Sequence, residues 1–520
     1  MKRVNWMRST ALATALAAAL IGLHGNALAQ AEEQKDANQS GGISSLFSGI
    51  GQSVGGLFDG SSDKPLLETL KQGPYTPSNQ AIGVERDIES YRLENFGLVP
   101  IKTFQDYANG IYARLKDVSG VSGLPGNVYL LATSELASTS TPDGNLFVSV
   151  AWIKTIESED ELAALIAHEL SHVLMHHHDS TLFSSVQKQL QFAFGVGADL
   201  KNKLDDLQGA SAALTPGQRK SLARMQLLID LTDKVMLPAW TRSQEMDADR
   251  LGTDLLRKAG YSATGMWNFL GHVEAWDKQQ EERRKEKEAQ VQAEMQTLVN
   301  SGSIDGALKL GLKNSGEALK ESLASQHENG EKRKEEFTAY RDKHHADWPR
   351  VVIGKEAYGK VITDKAVKSV LDAYAATFAA ITDLEQGRYE DAYKLLLPVT
   401  KANAAGATQA MPNFELYRAM EFLGRKESNA QLVKSYHAAE PSWKPYAAAI
   451  RSEAKQGHRP QALQIVKEAR ERFKDAPALT PLLVEIYAEL GFKEELQQEL
   501  VTCNAIHVTY RERCQQVAKR

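Results

Sequence analysis

The spacing of apolar residues changes character along this chain. Between residues 127 and 153 they cluster in short blocks, "NVYLL" and "NLFVSVAWI", rich in β-branched and aromatic side chains. Gly, Pro and Asp bound the blocks, so they read as strands around a turn-rich connection at 138–145. From Glu157 the spacing becomes three and four residues, and it stays so over most of the remaining chain. That period buries one helical face at a time. The run "ELAALIAHELSHVL", from Glu161, is apolar almost all round and predicts a helix sunk in a core. The stretch 276–296 is the opposite case, a charged helix with little apolar face that reads as solvated.

The last third repeats itself. "GRYEDAYKLL" begins at Gly387, "GRKESNAQLV" at Gly424, "GHRPQALQIV" at Gly457 and "GFKEELQQEL" at Gly491, at intervals of 37, 33 and 34 residues. Each glycine separates two apolar helical patterns, which predicts helix, turn, helix. The period resembles the tetratricopeptide repeat, with Tyr389, Ala392 and Ala462 at aromatic and alanine positions. Stacked pairs of this kind usually form a concave surface for protein segments.

The first residues follow a different logic. Lys2, Arg3 and Arg8 precede an apolar run over 10–23, and Ala27 and Ala29 stand where a leader peptidase cuts. Residues 1–29 therefore read as a secretory signal peptide, with Gln30 starting the mature chain. A Gly/Ser-rich lead-in over 30–65 reads as a tether. Within it, Ile43, Leu46, Phe47, Ile50, Val54, Leu57 and Phe58 keep helical spacing, which leaves a peripheral contact with a membrane or partner open. No later segment has 18 consecutive apolar residues, so no transmembrane span is expected.

The length of 520 residues exceeds one ordinary core, so two or three domains are expected. A formal net charge of -5 gives no basic footprint, and nucleic acid is not an expected partner. The two cysteines, Cys503 and Cys514, are expected to pair in the oxidising compartment that an exported chain enters.

The stretch "HELSHVLMHHH", from His168, carries the chemistry. His168 and His172 are four apart on a helix, about 40° apart around its axis, so both imidazoles can hold one metal ion. Glu169 stands beside them and can take a proton from water without being a ligand. This is the logic of H-E-x-x-H in zinc peptidases. If the helix continues, His176 lies two turns beyond His168, about 12 Å along the axis, and His177 and His178 fall off that face, so all three read as supporting or surface groups. Catalytic zinc takes three protein ligands, so one more is required. "SQEMDADRLG" offers Glu245 as ligand, with Asp249 four residues on, able to accept a hydrogen bond from a ligating histidine; Asp247 points elsewhere.

"AALIAHELSHVLMHH", "QEMDADRLG" and "PDGNLFVSVAWI" resemble the HtpX and CAAX-prenyl-endopeptidase family of gluzincin metallopeptidases. With the leader and the repeats, the resemblance is to its periplasmic BepA-like (YfgC-like) branch. It implies a mainly α fold with a small β-sheet: a zincin-type metallopeptidase domain over 66–350, a connection over 351–371, and an α-helical tetratricopeptide-repeat domain over 372–520. It implies one Zn2+ per chain on His168, His172 and Glu245, with Glu169 as base and Asp249 as the aspartate of the family's E-x-x-A-D motif. It also implies a histidine followed by an arginine after the third ligand, approaching the zinc or the oxyanion. His344 and His345, ahead of Arg350, are candidates, and His272 is a weaker rival. The family's Pro-Gly-Gly turn is replaced here by Pro142, Asp143, Gly144 and Asn145. The strand 146–150 is expected to bind an extended peptide by strand addition. Implied partners are unfolded or misassembled envelope proteins and the outer-membrane assembly machinery. Two other readings use the same residues: a repeat-based chaperone with little turnover, and a zinc-storage protein built on the histidine cluster.

Overall fold

The computed structural model describes residues 64–93, 96–179, 240, 242–300, 330–348, 354–507 and 510–518. The expected signal peptide, nearly all of the lead-in with its amphipathic stretch, and most of the segment between the two metal motifs lie outside the described residues.

Helices α1 (Leu66–Thr69), α2 (Val84–Leu93) and α3 (Lys102–Ser119) come first. Strand β1 (Gly73–Pro74) pairs in parallel with β2 (Val121–Ser122). Strands β3 (Val128–Leu131), β4 (Ser138–Ser140) and β5 (Leu146–Ser149) form a second sheet in the order β3-β5-β4. β3 and β5 run parallel, with Val128 beside Leu146, while β4 is antiparallel to β5, with Thr139 beside Phe147. The expected connection 138–145 thus contains a third strand, and only 141–145 turns. Every residue of β5 is buried, and β5 has a neighbour on each side. It has no free edge, so the expectation that 146–150 adds a peptide strand is corrected. Among the described residues the free edge beside it is β4, and Val150 already opens helix α4 (Val150–Thr155).

Helix α5 (Glu159–Leu174) is started by Ser158, whose Oγ accepts from the Glu161 N–H. The Glu161 carboxylate reaches back to the Glu157 N–H at 2.9 Å, so orphan donors at the helix start are satisfied by side chains. All residues of α5 but Glu159 are buried, as its apolar run predicts. α6 (Arg242–Lys258) packs on it, and Gly252 makes the approach close. A Cβ there would stand 3.3 Å from the His168 backbone N. α7 (Ala263–Asn300) contains the charged stretch, and α8 (Gly330–His344) lies along α6. Tyr340 of α8 donates to Asp254 at 2.9 Å, and Arg250 reaches Glu336 at 3.3 Å.

The expected connection 351–371 is not a loose joint. It carries helix α9 (Lys355–Thr363), whose buried Tyr358 donates to the Ile153 carbonyl at 2.6 Å. Gly354 N–H donates to Asp160 at 2.6 Å. Helical hairpins follow: α10 (Lys365–Glu385) with α11 (Tyr389–Val399), α12 (Ala410–Phe422) with α13 (Ser428–Tyr436), α14 (Trp443–Lys455) with α15 (Arg459–Arg472), and α16 (Leu479–Glu489) with α17 (Lys493–Ala505). Helix α18 (Arg511–Val517) closes them. Gly387, Gly424, Gly457 and Gly491 all have left-handed φ, +74°, +65°, +80° and +68°. At each, the residue after the glycine donates to a carbonyl five residues back: Arg388 to Asp383, Arg425 to Met420, His458 to Glu453, Phe492 to Tyr487. This is the Schellman ending that glycine permits at no steric cost. Cys503 and Cys514 are joined in a buried disulfide.

One apolar core runs from Leu67 in α1 to Phe492 at the turn of the last helical hairpin. Phe96 meets Phe414 edge to face at 5.5 Å, and Arg92 Nε is 2.5 Å from Glu440.

Candidate metal centre

His168 and His172 project from one side of α5, with their Nε2 atoms 3.2 Å apart. Glu245, in the first turn of α6, brings Oε2 to 3.5 Å from His168 Nε2. The three ligand atoms lie within 4.8 Å of one another, and all three residues are buried. Nitrogens each about 2.0 Å from a tetrahedral zinc would stand about 3.3 Å apart, so the pair already has the right spacing. Two imidazoles and one carboxylate are the donor set of catalytic zinc, with a position left for water.

The outer nitrogens of the two rings are engaged. His168 Nδ1 lies 2.9 Å from Asp249 Oδ1, and His172 Nδ1 lies 2.8 Å from His177 Nδ1. Asp249 can only accept, so His168 carries its proton on Nδ1 and turns the Nε2 lone pair inward. The same tautomer of His172 makes His177 Nδ1 an acceptor. Trp240 stacks on His172 at 4.3 Å and fixes the ring plane from the other side.

Electrostatics follow burial and these contacts. Burial works against the charged form of Asp249, but the Arg333 guanidinium outweighs it and holds the carboxyl below its usual range. Burial also opposes a charged His168, and its hydrogen bond to Asp249 together with the charges of Asp249 and Glu245 raises it above the usual value. Burial and the neighbouring imidazoles push His172 well down, leaving it neutral and able to ligate. The same causes lower His177 to about 3, while burial takes His178 to about 4. Burial pushes the Glu169 carboxyl up and Glu245 adds to this, while His168 and the nearby hydroxyls of Ser138 and Ser140 oppose it. Glu169 Oε2 is buried with no hydrogen-bond partner among the described residues. An orphaned carboxylate oxygen is costly unless something else uses it.

The structure brings together His168, Glu169, His172, Glu245 and Asp249 as the spacing predicts, and Asp247 turns away toward Arg250. His345 is a correction. It lies 2.5 Å from Asp254, about 7.5 Å farther along α6 than Asp249, and takes no part in the metal group. His344 stands beside the Tyr340 ring at 4.7 Å, and His272 reaches Glu161 at 3.2 Å. The residue of α8 that does reach the centre is Arg333, which the sequence reading missed. It lies in a charged run, "GEKRKEE", that looks solvated, and no spacing marks it. Continuing the helix places His177 off the ligand face. The helix ends at Leu174, and His176, with φ +53°, turns the chain back. His178 donates from Nε2 to the Ser140 carbonyl of β4 at 3.0 Å. His177 and His178 thus make supporting contacts, one to His172 and the other to β4.

Residues 118–338 match the model of peptidase family M48. Among similar proteins is the beta-barrel assembly-enhancing protease of Escherichia coli (strain K12), 24% identical over 209 residues, covering 38% of this chain and 39% of the relative. Its Yersinia pestis counterpart is 27% identical over 168 residues, 32% of this chain and 31% of that one. Metalloprotease LoiP of Escherichia coli (strain K12) is 27% identical over 165 residues, 31% of this chain and 58% of its own length. The chain thus spans about two-fifths of the length of the first of these relatives. The matched region contains the whole buried group of histidines, carboxylates and Arg333, and residues 118–338 are a peptidase family M48 domain.

Proposed function

We propose that this chain is a periplasmic zinc-dependent endopeptidase that hydrolyses misfolded or misassembled envelope proteins, with its helical hairpins acting as tetratricopeptide repeats that hold clients or assembly partners. The observation that carries the reading is the orphaned Glu169 Oε2 beside a His168, His172 and Glu245 ligand group. A storage or structural site has no use for a buried carboxylate beside its ligands. The envelope setting rests on the leader-like first residues and on the printed name of the beta-barrel assembly-enhancing protease.

His168, His172 and Glu245 would hold the zinc, which when bound polarises a peptide carbonyl and acidifies water. Glu169 takes the proton of the attacking water on Oε2 and returns it to the leaving amine. β4 offers the edge for the substrate. Ala137 and Thr141 bond to Ser149 and Asn145 of the β5 side, so the backbone groups of Ser138 and Ser140 face outward. An extended peptide that adds there has its backbone satisfied whatever its side chains, which suits clients of varied sequence. His178 occupies the Ser140 carbonyl and must yield if pairing extends that far.

The test is zinc content and casein cleavage on the same samples of wild type, Glu245→Ala and Glu169→Gln. Expected are one zinc in wild type, loss of zinc in Glu245→Ala, and zinc without cleavage in Glu169→Gln. Cleavage that survives Glu169→Gln would sink the assignment of the base. Several zinc ions per chain would return the histidine cluster to consideration.

A further inference from the structure

We propose that Arg333 is the positioning residue of the metal centre, one guanidinium that sets both the third ligand and the orientation of the first. It comes from α8, not from either helix that supplies the ligands. Its Nε and Nη2 donate to Asp249 Oδ2 and Oδ1, each at 2.7 Å. Its Nη1 lies 3.1 Å from Glu245 Oε2. Its side chain is only 5% exposed, so these are dry contacts and not surface pairs.

A buried arginine is tolerated only when its donors are matched, and here the match is specific. The two-pronged contact fixes the carboxylate plane of Asp249, and a guanidinium can only donate. Both Asp249 oxygens are thereby held as acceptors, and Oδ1 is turned to His168 Nδ1 at 2.9 Å. The third prong restrains the Glu245 carboxylate on the other side. Arg333 therefore ties α8 to α6 and, through Asp249, to α5.

Charge and positioning make opposite forecasts. A guanidinium repels a dication and shares Glu245 Oε2 with it, so on charge alone its removal should tighten zinc binding. If positioning dominates, removal weakens it by roughly 10- to 100-fold, the usual effect of losing an outer-shell partner. The inference rests on the metal site of the proposed function, not on its peptide chemistry.

The experiment is zinc competition against a chromophoric chelator for the full chain carrying Arg333→Met or Arg333→Lys. The visible spectrum of the cobalt-substituted protein is read alongside, and far-UV circular dichroism checks the fold. Arg333→Met is expected to lose at least tenfold in affinity and to alter the cobalt bands. Should that variant fail to fold, Arg333→Lys decides, because it keeps a buried charge but cannot make the fork. It is expected to lose at least threefold. A folded variant that binds zinc as tightly as wild type, or more tightly, with unchanged cobalt bands overturns the proposal. Wild type that holds zinc but cleaves nothing sinks the peptidase reading and leaves this one standing.

Discussion

At the residue scale, the contact between His172 and His177 makes a specific demand. His177 Nδ1 accepts from His172 Nδ1 at 2.8 Å, and replacing it by phenylalanine keeps the ring volume while removing the acceptor. His177→Phe is expected to weaken zinc retention by roughly tenfold with the fold intact, read by chelator competition. Wild-type retention would mean that the stacked Trp240 alone holds the ring. His168, His172, Glu245 and Asp249 were legible in the sequence because a four-residue step on one helix is local geometry. Arg333 and His177 were not, because each depends on a tertiary fact. One needs the packing of α8 on α6, and the other needs a helix that stops at Leu174. His345 looked chemically apt and is instead bonded to Asp254.

At the scale of elements, Asp87 of α2 braces the turn between β4 and β5. Its Oδ2 lies 3.3 Å from Asn145 Nδ2, while Ile82 and Gly83 N–H groups, just ahead of α2, donate to Asp143 at 2.8 Å. Burial raises the Asp87 carboxyl to about 7 from 3.8, with Asp143 adding and hydrogen bonds to Thr141 and Asn145 opposing. A folded-state value above the unfolded one means the native state keeps a proton that the unfolded chain has lost. Stability from this group is therefore full below about pH 4 and drains away up to about pH 7. Asp87→Asn should gain on wild type across that window in denaturant melts and run parallel to it above. A gap that does not change with pH would sink the assignment. The close pass of α6 over α5 at Gly252 supports a second expectation. Gly252→Val should push the helices apart and lower zinc affinity, with helix content by circular dichroism unchanged. The buried bond between Cys503 and Cys514 closes a short loop, and replacing both by serine should cost about 3 kcal/mol at the C-terminal end. The strands of the sheet were harder to read than the helices. Ser138, Thr139 and Ser140 carry no apolar alternation, and only pairing with β5 makes them a strand.

At the scale of the whole chain, the repeat period and its four turn glycines were plain in the sequence, since a left-handed turn residue leaves a mark at each recurrence. The joint between the two parts was not, because α9 reads like any short polar helix until Tyr358 is seen in the core. Among the described residues no helix is long and apolar enough to cross a membrane. The shared core predicts shared unfolding. Phe96→Ala removes a buried ring at the junction and should cost about 3–5 kcal/mol. Hydrogen exchange in the helical hairpins and zinc release from the centre should accelerate together. If only one responds, the core is divided energetically although it is continuous in space.

That continuous core has a consequence for selectivity. Domains joined by a flexible linker present a captive to one another at an effective concentration that the linker length dilutes. Here, among the described residues, the hairpins share one apolar core with β5, the neighbour of β4. If the repeats hold a client as proposed, the span of chain between the held segment and the scissile bond is set by the protein, and the enzyme becomes a ruler. It would choose where to cut by counting residues from the point of capture, and only weakly by reading the side chains at the bond itself.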